Sequence, residues 1–144
     1  MILSVLATTL AMAILPARGG FGNDPLSEFR WKRRVLLIFG RDLNDSVVEQ
    51  GDRLDEKRPE AHERQLTVLT VVNGIVSNSG RHESLPSAEA LRAKFRVNDQ
   101  TPFTVILVGK DGQEKLRDNA PVEASALFEL IDSMPMRQDE IKKD

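Results

Sequence analysis

Short apolar runs alternate along the chain with segments whose apolar positions recur at helical spacing. Residues 35–39 form a continuous apolar run, and residues 66–72 form a second one that is rich in β-branched side chains. Runs of this kind are typical of strands buried on both faces of a sheet. Between them, residues 45–57 carry an apolar stripe at helical spacing behind a group of helix-capping side chains. Strand, helix and strand in this order predict a parallel βαβ unit and therefore an α/β fold.

A β-hairpin with a proline at its entrance is the clearest element of the second half. Thr101 and Pro102 precede the apolar run 103–108, and the sequence GKDG at 109–112 reverses the chain into the polar segment 113–117. Because proline cannot donate to a sheet ladder, we expect Pro102 at the start of the strand, where an X-Pro bond can be cis.

Two more helices surround this hairpin. One covers about residues 87–97, and a closing helix lies between Pro121 and Pro135. The second strand is taken to end at Asn73-Gly74, with a polar loop at residues 77–83. The predicted sheet therefore has four strands.

This order of elements resembles the plan of the thioredoxin family. In that family a proline in the position of Pro102 is cis and lies against the start of the first helix, where a Cys-x-x-Cys pair is found. The matching residues here, 40–45, contain no cysteine. The resemblance implies a thioredoxin-like three-layer sandwich with a mixed four-stranded sheet, a βαβ unit, a β-hairpin and a C-terminal helix, but without the redox chemistry.

A second resemblance concerns the carboxyl-terminal third of the chain. The sequences GKDG at 109–112, KLR at 115–117 and IDSMPMRQ at 131–138 resemble the signature of a bacterial exported family called domain of unknown function 4174. That family is similar to the DUDES domains of animal secreted proteins, which are likewise thioredoxin-like. The resemblance spans roughly residues 29–141. It implies a fold and export, but no reaction, because the family has no settled activity.

The first residues indicate export. Residues 1–17 contain no charged side chain, and their apolar run is long enough for the core of a signal peptide but shorter than the roughly 20 residues of a membrane span. We expect a cleaved signal peptide at 1–17, a flexible leader at 18–27, a domain at 28–141 and a tail at 142–144. The protein would then be periplasmic or secreted, with no stable membrane span after cleavage. An uncleaved membrane anchor and a buried helix are the alternatives.

The amino-acid composition excludes several kinds of functional site. The 144 residues are 40% hydrophobic and 29% charged, with a net charge of −2 and no cysteine. Disulfides, thiol nucleophiles and thiolate metal sites are thereby excluded, and no basic field for nucleic acid is expected. The basic cluster at 30–34 is interpreted as a solvated face whose long side chains cover Trp31. His62 and His82 lie in polar segments without metal-ligand spacing or a triad partner, so we expect no metal, no cofactor and no catalytic residue.

One candidate ligand site follows from the inferred fold. The start of the first helix near Asn44, the side chain of Arg41 and the Thr101-Pro102 turn should converge. Exposed amide donors, a positive helix end and a guanidinium suit an anion or a carboxylate. The neighbouring carboxylates of Asp42 and Asp45 would oppose such a ligand.

Arg137 is a further candidate. It follows the end of the closing helix, where a cation interacts favourably with helix carbonyls. Both a ligand-binding role and a purely structural role, in which the Met134-Pro135-Met136 segment docks on the core, are open at this point.

The sequence favours an exported, redox-inactive module that binds an unidentified protein or small molecule and is not an enzyme. The alternatives are a cysteine-independent enzyme and an accessory to a thiol-redox partner in the periplasm.

Overall fold

The computed structural model describes residues 24–78 and 84–143. Within them the chain forms five strands, which are β1 (Arg34–Gly40), β2 (Leu66–Val72), β3 (Ile75–Asn78), β4 (Phe103–Val108) and β5 (Glu114–Asp118). The helices are α1 (Asp45–Asp55), α2 (Arg58–Glu63), α3 (Ala88–Phe95), α4 (Ala124–Asp132) and α5 (Pro135–Lys143).

The strands form one mixed sheet in the order β3-β2-β1-β4-β5. The strand β1 pairs in parallel with β2 and antiparallel with β4, and all of its residues are buried. The two outer strands, β3 and β5, pair antiparallel with their neighbours. The predicted βαβ unit and the β4–β5 hairpin are therefore confirmed, with β1 at the centre.

Helices cover both faces of the sheet because the side chains of β1 alternate between two apolar clusters. Leu36 and Ile38 pack with residues of α1, α2 and α4, including Leu127. Leu37 and Phe39 pack on the other face with residues of α3 and of the turn before β1. The period-2 alternation of a strand explains why one continuous apolar run supplies both clusters.

The strand count differs from the prediction, because the sheet has five strands rather than four. Asn73 and Gly74 both have positive φ angles, 52° and 72°, and they form the tight turn of a β2–β3 hairpin. Asn-Gly is a strong signal for this two-residue turn. The loop predicted at residues 77–83 overlaps the second half of β3, because β3 is a short edge strand with an exposed Ile75 and little apolar pattern.

The two prolines singled out in the sequence have the following places in the structure. Pro102 directly precedes β4 as expected, but the Thr101–Pro102 peptide bond is trans. Pro135 is the first residue of α5, and this helix continues to Lys143.

The predicted signal peptide and residues 18–23 of the predicted leader lie outside the described residues. Of the leader, residues 24–27 are described, and in them Leu26 is buried in the cluster around Leu37. Within the described part of the chain, no helix has the length and apolar character needed to cross a membrane.

Candidate functional site

The sequence-predicted site lies where β1 leads into α1. The Asn44 side chain caps α1, because its Oδ1 accepts a hydrogen bond from the Val47 amide at 3.1 Å. Its Nδ2 donates to the Pro102 carbonyl oxygen at 2.7 Å. The fold thus brings Asn44 and Pro102 together as predicted, but both polar atoms of the Asn44 side chain already have partners.

Arg41 and Thr101 have their own neighbours at this end of the sheet. The Arg41 side chain is about half exposed, and its Nε lies 3.6 Å from Asp42 Oδ2. The Thr101 amide donates to the Asn98 carbonyl at 3.1 Å. The neighbouring carboxylate thus shields Arg41, as the position of Asp42 had suggested.

Arg137 does not join these residues. It lies at the opposite end of the sheet, near the first residue of β1, and a strand of seven residues is about 20 Å long. There it belongs to a group of charged side chains, called here the amino-end cluster, which consists of Arg34, Glu63, Arg64, Lys110, Asp132, Arg137 and Glu140.

Arg34 and Lys110 meet on one carboxylate of this cluster. The Arg34 guanidinium contacts both Glu140 oxygens, from Nη1 and Nη2, at 3.2 Å each. Lys110 Nζ donates to Glu140 Oε1 at 2.5 Å and also to Gln65 Oε1. Arg34 also donates to the Arg64 carbonyl at 2.8 Å. Arg34 is the first residue of β1, and Lys110 follows β4. Glu140 of α5 therefore forms ion pairs with residues at the ends of two adjacent strands.

Arg137 is the second centre of the cluster. Its Nε lies 3.1 Å from Asp132 Oδ1, and its Nη2 lies 3.1 Å from Glu63 Oε1. Asp132 also accepts two hydrogen bonds from Arg64, at 3.0 and 2.8 Å. The structural interpretation of Arg137 therefore has direct support, because this residue joins α2, α4 and α5.

The pKa values of the cluster reflect these contacts. Burial raises the pKa of Glu140, but hydrogen bonds from Lys110 and Arg34 outweigh it and hold the pKa below its ordinary value. The pKa of Asp132 is likewise lowered, because hydrogen bonds from Arg64 and Arg137 exceed the effect of burial. Both carboxyl groups therefore stay ionised well into the acidic range.

Positive charge lies deeper in this cluster than negative charge. The side chains of Arg34, Lys110 and Arg137 are 1%, 8% and 3% exposed. Their carboxylate partners are more accessible, at 25% for Glu140 and 61% for Glu63. With Arg64 and Asp132 included, four cations face three carboxylates. The cluster taken by itself therefore carries one net positive charge.

A cleft of about 510 Å³ opens on the cluster. The charged and titratable residues that line it are Arg33, His62, Glu63, Arg137, Glu140 and Lys143. Arg33 is held in place by hydrogen bonds from its Nε to Thr67 Oγ1 at 2.5 Å and from its Nη2 to the Leu66 carbonyl at 3.4 Å. The wall is thus fixed by ion pairs and hydrogen bonds before any ligand binds.

Sequence reasoning missed most of this site. The basic cluster at 30–34 was assigned to a solvated face covering Trp31, yet Arg34 is buried and Trp31 is 62% exposed. Lys110 was assigned only to a turn, although it is 8% exposed and ion-paired. Arg137 in the MPMRQ sequence was the one available signal.

Metal binding finds no support in the described part of the chain, where no three His, Cys, Asp or Glu side chains are arranged to hold an ion. His62 lines the cleft, whereas His82 lies outside the described residues.

Comparison with known proteins identifies relatives of the whole described domain. Residues 25–140 match the family described as Domain of unknown function (DUF4174). The sushi repeat-containing protein SRPX of Rattus norvegicus is 29% identical over 120 residues, which cover 81% of this chain and 26% of the rat protein; the Homo sapiens protein gives the same values. Coiled-coil domain-containing protein 80 of Danio rerio is 28% identical over 134 residues, 81% of this chain and 15% of that protein. The chain spans about a quarter or less of the curated relatives it matches.

Proposed function

We propose that this chain, which belongs to the DUF4174 family, is an exported binding module that has a thioredoxin-like scaffold and no redox chemistry of its own. The scaffold assignment is supported by the parallel β1–α1–β2 unit, the antiparallel β4–β5 hairpin and the contact between Asn44 and Pro102. The absence of redox chemistry is supported by a sequence without cysteine.

The binding role rests on the cleft beside α5. Three of its lining side chains are basic, namely Arg33, Arg137 and Lys143, and two are carboxylates. Both carboxylates, Glu63 and Glu140, already pair with buried cations. The surplus of positive charge favours an anionic occupant, and the fixed wall lowers the entropic cost of binding it. We infer that the partner presents an acidic segment of a protein chain to this cleft.

A labelled hexaglutamate peptide tests this role with the purified full chain. The substitution Lys143→Glu reverses one charge at the cleft and should raise the peptide Kd about fivefold at low salt, a change of about 1 kcal/mol. The effect should weaken as salt is added, because the group is near the surface. A hexalysine peptide should not bind.

The matched control is Arg41→Glu at the far end of β1, which also examines the site predicted from the sequence. This substitution should leave the hexaglutamate Kd within twofold of the parent value. If Arg41→Glu weakened binding while Lys143→Glu did not, the site at the start of α1 would replace the cleft. Equal Kd values in all three proteins would contradict the proposal.

Export and redox inactivity have separate tests. The mass of the protein recovered after expression in a bacterium should place its first residue near Arg18, whereas an intact chain in the membrane fraction would indicate a retained anchor. The purified protein should not reduce insulin disulfides without a thiol partner. Turnover by this chain alone would contradict the proposed absence of redox chemistry.

A further inference from the structure

Trp31 occupies a position that is unfavourable for a tryptophan. Its backbone has a φ angle of 66°, in the left-handed region that glycine and asparagine normally adopt. A bulky side chain at such an angle strains the backbone. The residue is also 62% exposed, so little apolar area is buried to offset this strain. The packing of the fold therefore does not explain why a tryptophan stands here.

The turn that carries Trp31 is held in place by backbone hydrogen bonds. The Trp31 amide donates to the Lys110 carbonyl at 2.7 Å, which fastens the turn to the end of β4. The Phe29 carbonyl accepts from the amides of Lys32 and Arg33 at 2.9 and 2.8 Å. Phe29 itself is buried in the apolar cluster around Leu37. The exposed indole is therefore presented by an ordered backbone, which lowers the entropic cost of binding a partner.

Basic side chains flank the indole. Residues 28–33 contain three of them and a single carboxylate. Arg30 and Lys32, on either side of Trp31, are exposed, and among the described residues neither forms an ion pair through its side chain. The Arg30 guanidinium lies against the β4–β5 turn, because a Cβ atom on Gly112 would be 2.8 Å from Arg30 Nε.

Carboxylates on the neighbouring segments do not cancel this charge. Asp24 pairs with Lys94, and Asp111 of the β4–β5 turn pairs with Lys115 at 2.8 Å. Each of these pairs is neutral, and only the exposed carboxylate of Glu28 opposes the basic side chains within the turn. The surface around Trp31 therefore favours an anionic partner.

The exposure of the ring indicates the shape of that partner. Small molecules bind in concave sites that bury most of their surface, whereas Trp31 is largely exposed and does not line the cleft beside α5. Tryptophan is enriched at membrane–water interfaces, where its ring meets apolar groups and its N–H stays near water. Lysine and arginine beside such a ring are attracted to anionic headgroups. An exposed indole between two cations thus suits a broad anionic lipid surface.

We propose that the turn at residues 28–33 binds the surface of an anionic lipid bilayer, with the Trp31 ring in the headgroup region and Arg30 and Lys32 beside lipid phosphates. Association of this kind is peripheral and needs no membrane-spanning helix. The inference does not rest on the proposed function of the cleft beside α5, because these three side chains do not line that cleft.

Intrinsic fluorescence tests the proposal on the full chain, because Trp31 is the one tryptophan of the sequence and tyrosine is absent. Vesicles of equal parts phosphatidylglycerol and phosphatidylcholine should move the emission to shorter wavelength, and the shift should saturate as lipid is added. Vesicles of phosphatidylcholine alone, and soluble glycerophosphate, should not produce it. A missing shift with the anionic vesicles, or an equal shift with either comparison sample, would overturn the proposal.

The substitution Lys32→Gln removes one cation that makes no ion pair within the described fold. It should raise the lipid concentration at half-saturation about fivefold, the change expected for one basic side chain at an anionic surface. Arg41→Gln is the matched control, since it removes an exposed cation at the opposite end of β1, and it should stay within twofold of the parent. Residues 1–17 are the same in all three proteins. Equal half-saturation in the three would contradict the assignment.

The substitution Trp31→Gly separates binding from stability. Glycine adopts a positive φ angle without strain, so the variant should melt at or above the temperature of the parent. In a sedimentation assay it should bind the anionic vesicles at least fivefold more weakly, while its hexaglutamate Kd stays within twofold of the parent value. Unchanged sedimentation would overturn the proposal, and so would a lower melting temperature, because the fold would then account for the tryptophan.

A protein partner is distinguished by the same fluorescence signal. If the hexaglutamate peptide moved the Trp31 emission with a saturable midpoint while the anionic vesicles did not, the turn would bind an acidic protein segment. The assignment to a lipid surface would then be wrong.

Discussion

Gln50 satisfies both backbone polar groups of Val122, although 72 residues separate the two in sequence. Its Nε2 donates to the Val122 carbonyl at 3.0 Å, and its Oε1 accepts from the Val122 amide at 2.8 Å. The Gln50 side chain is fully buried within α1. A glutamine on the otherwise apolar inner face of α1 therefore fixes the segment that enters α4.

The substitution Gln50→Leu should lower the free energy of unfolding by about 2–4 kcal/mol. It replaces the amide by an apolar side chain of similar length and leaves the partly buried Val122 amide and carbonyl without their partner, and each group of this kind costs about 1–3 kcal/mol when it is shielded from water. Urea unfolding followed by circular dichroism measures the change. Gln100→Leu, at an exposed position, should stay within about 0.5 kcal/mol of the parent. A similar loss in both variants would show that the Val122 pairing is not the cause.

Gly40 ends β1 where the chain turns toward α1. A Cβ atom there would lie 2.5 Å from Val47 Cγ2 and 2.8 Å from the Asp42 carbonyl oxygen. Gly40→Ala should therefore cost about 1–3 kcal/mol of stability, because the buried Val47 side chain and the Asp42 backbone must move. The thermal midpoint of unfolding is the measurement.

Gly51→Ala is the matched control for Gly40→Ala. It lies inside α1, and a Cβ there meets nothing within 4 Å. Gly51→Ala should raise stability by about 0.5–1 kcal/mol, as alanine does in a helix interior. If Gly40→Ala were as stable as the parent or more stable, the steric argument for Gly40 would fail.

The local elements were predictable because each depends on neighbouring residues. The apolar run before Gly40, the turn after Val108 and the proline before β4 all carry short-range signals. The amino-end cluster carries no such signal, since Arg34 and Glu140 are 106 residues apart. Arg34 is buried because α5 packs over the start of β1. A basic residue at the start of an apolar run does not indicate in the sequence that a distant helix will cover it.

The side-chain pairing within the predicted ligand site was not predictable for a related reason. The sequence correctly placed Asn44 near Pro102, because a proline before β4 and a cap before α1 meet at one edge of the sheet. It did not indicate that the Asn44 side chain would use both polar atoms within the fold. Side-chain pairing of this kind depends on distances that only the assembled sheet fixes.

Acid should weaken the fold through Glu140. Its pKa in the folded protein lies below the ordinary value of 4.5, so its contribution to stability is fully present above that value and is lost as pH falls below it. Glu140→Gln should cost about 2 kcal/mol at pH 7, after allowance for a side chain that is 25% exposed. The difference between parent and variant should shrink as pH is lowered from 5 to below the folded pKa. Urea unfolding at several pH values measures it.

Glu129→Gln is the control for this titration, because Glu129 is an exposed residue of α4. The free energy of unfolding of the Glu129→Gln variant should equal that of the parent protein at every pH. A Glu140→Gln variant that lost stability equally at all pH values would indicate altered packing and not the loss of a charged partner.

Deletion of residues 134–144 should lower the melting temperature by about 10 °C. The truncation removes Met134 from the core edge and takes Glu140 away from Arg34 and Lys110, which are both buried. Leaving buried cations without their carboxylate costs about 3 kcal/mol, and for a domain of this size each kcal/mol corresponds to roughly 3–5 °C. Calorimetry measures the change, and deletion of residues 142–144 alone should shift the midpoint by less than about 2 °C. If the longer truncation melted like the parent, α5 would not stabilise the fold, and the buried pairing of Arg34 with Glu140 would be contradicted.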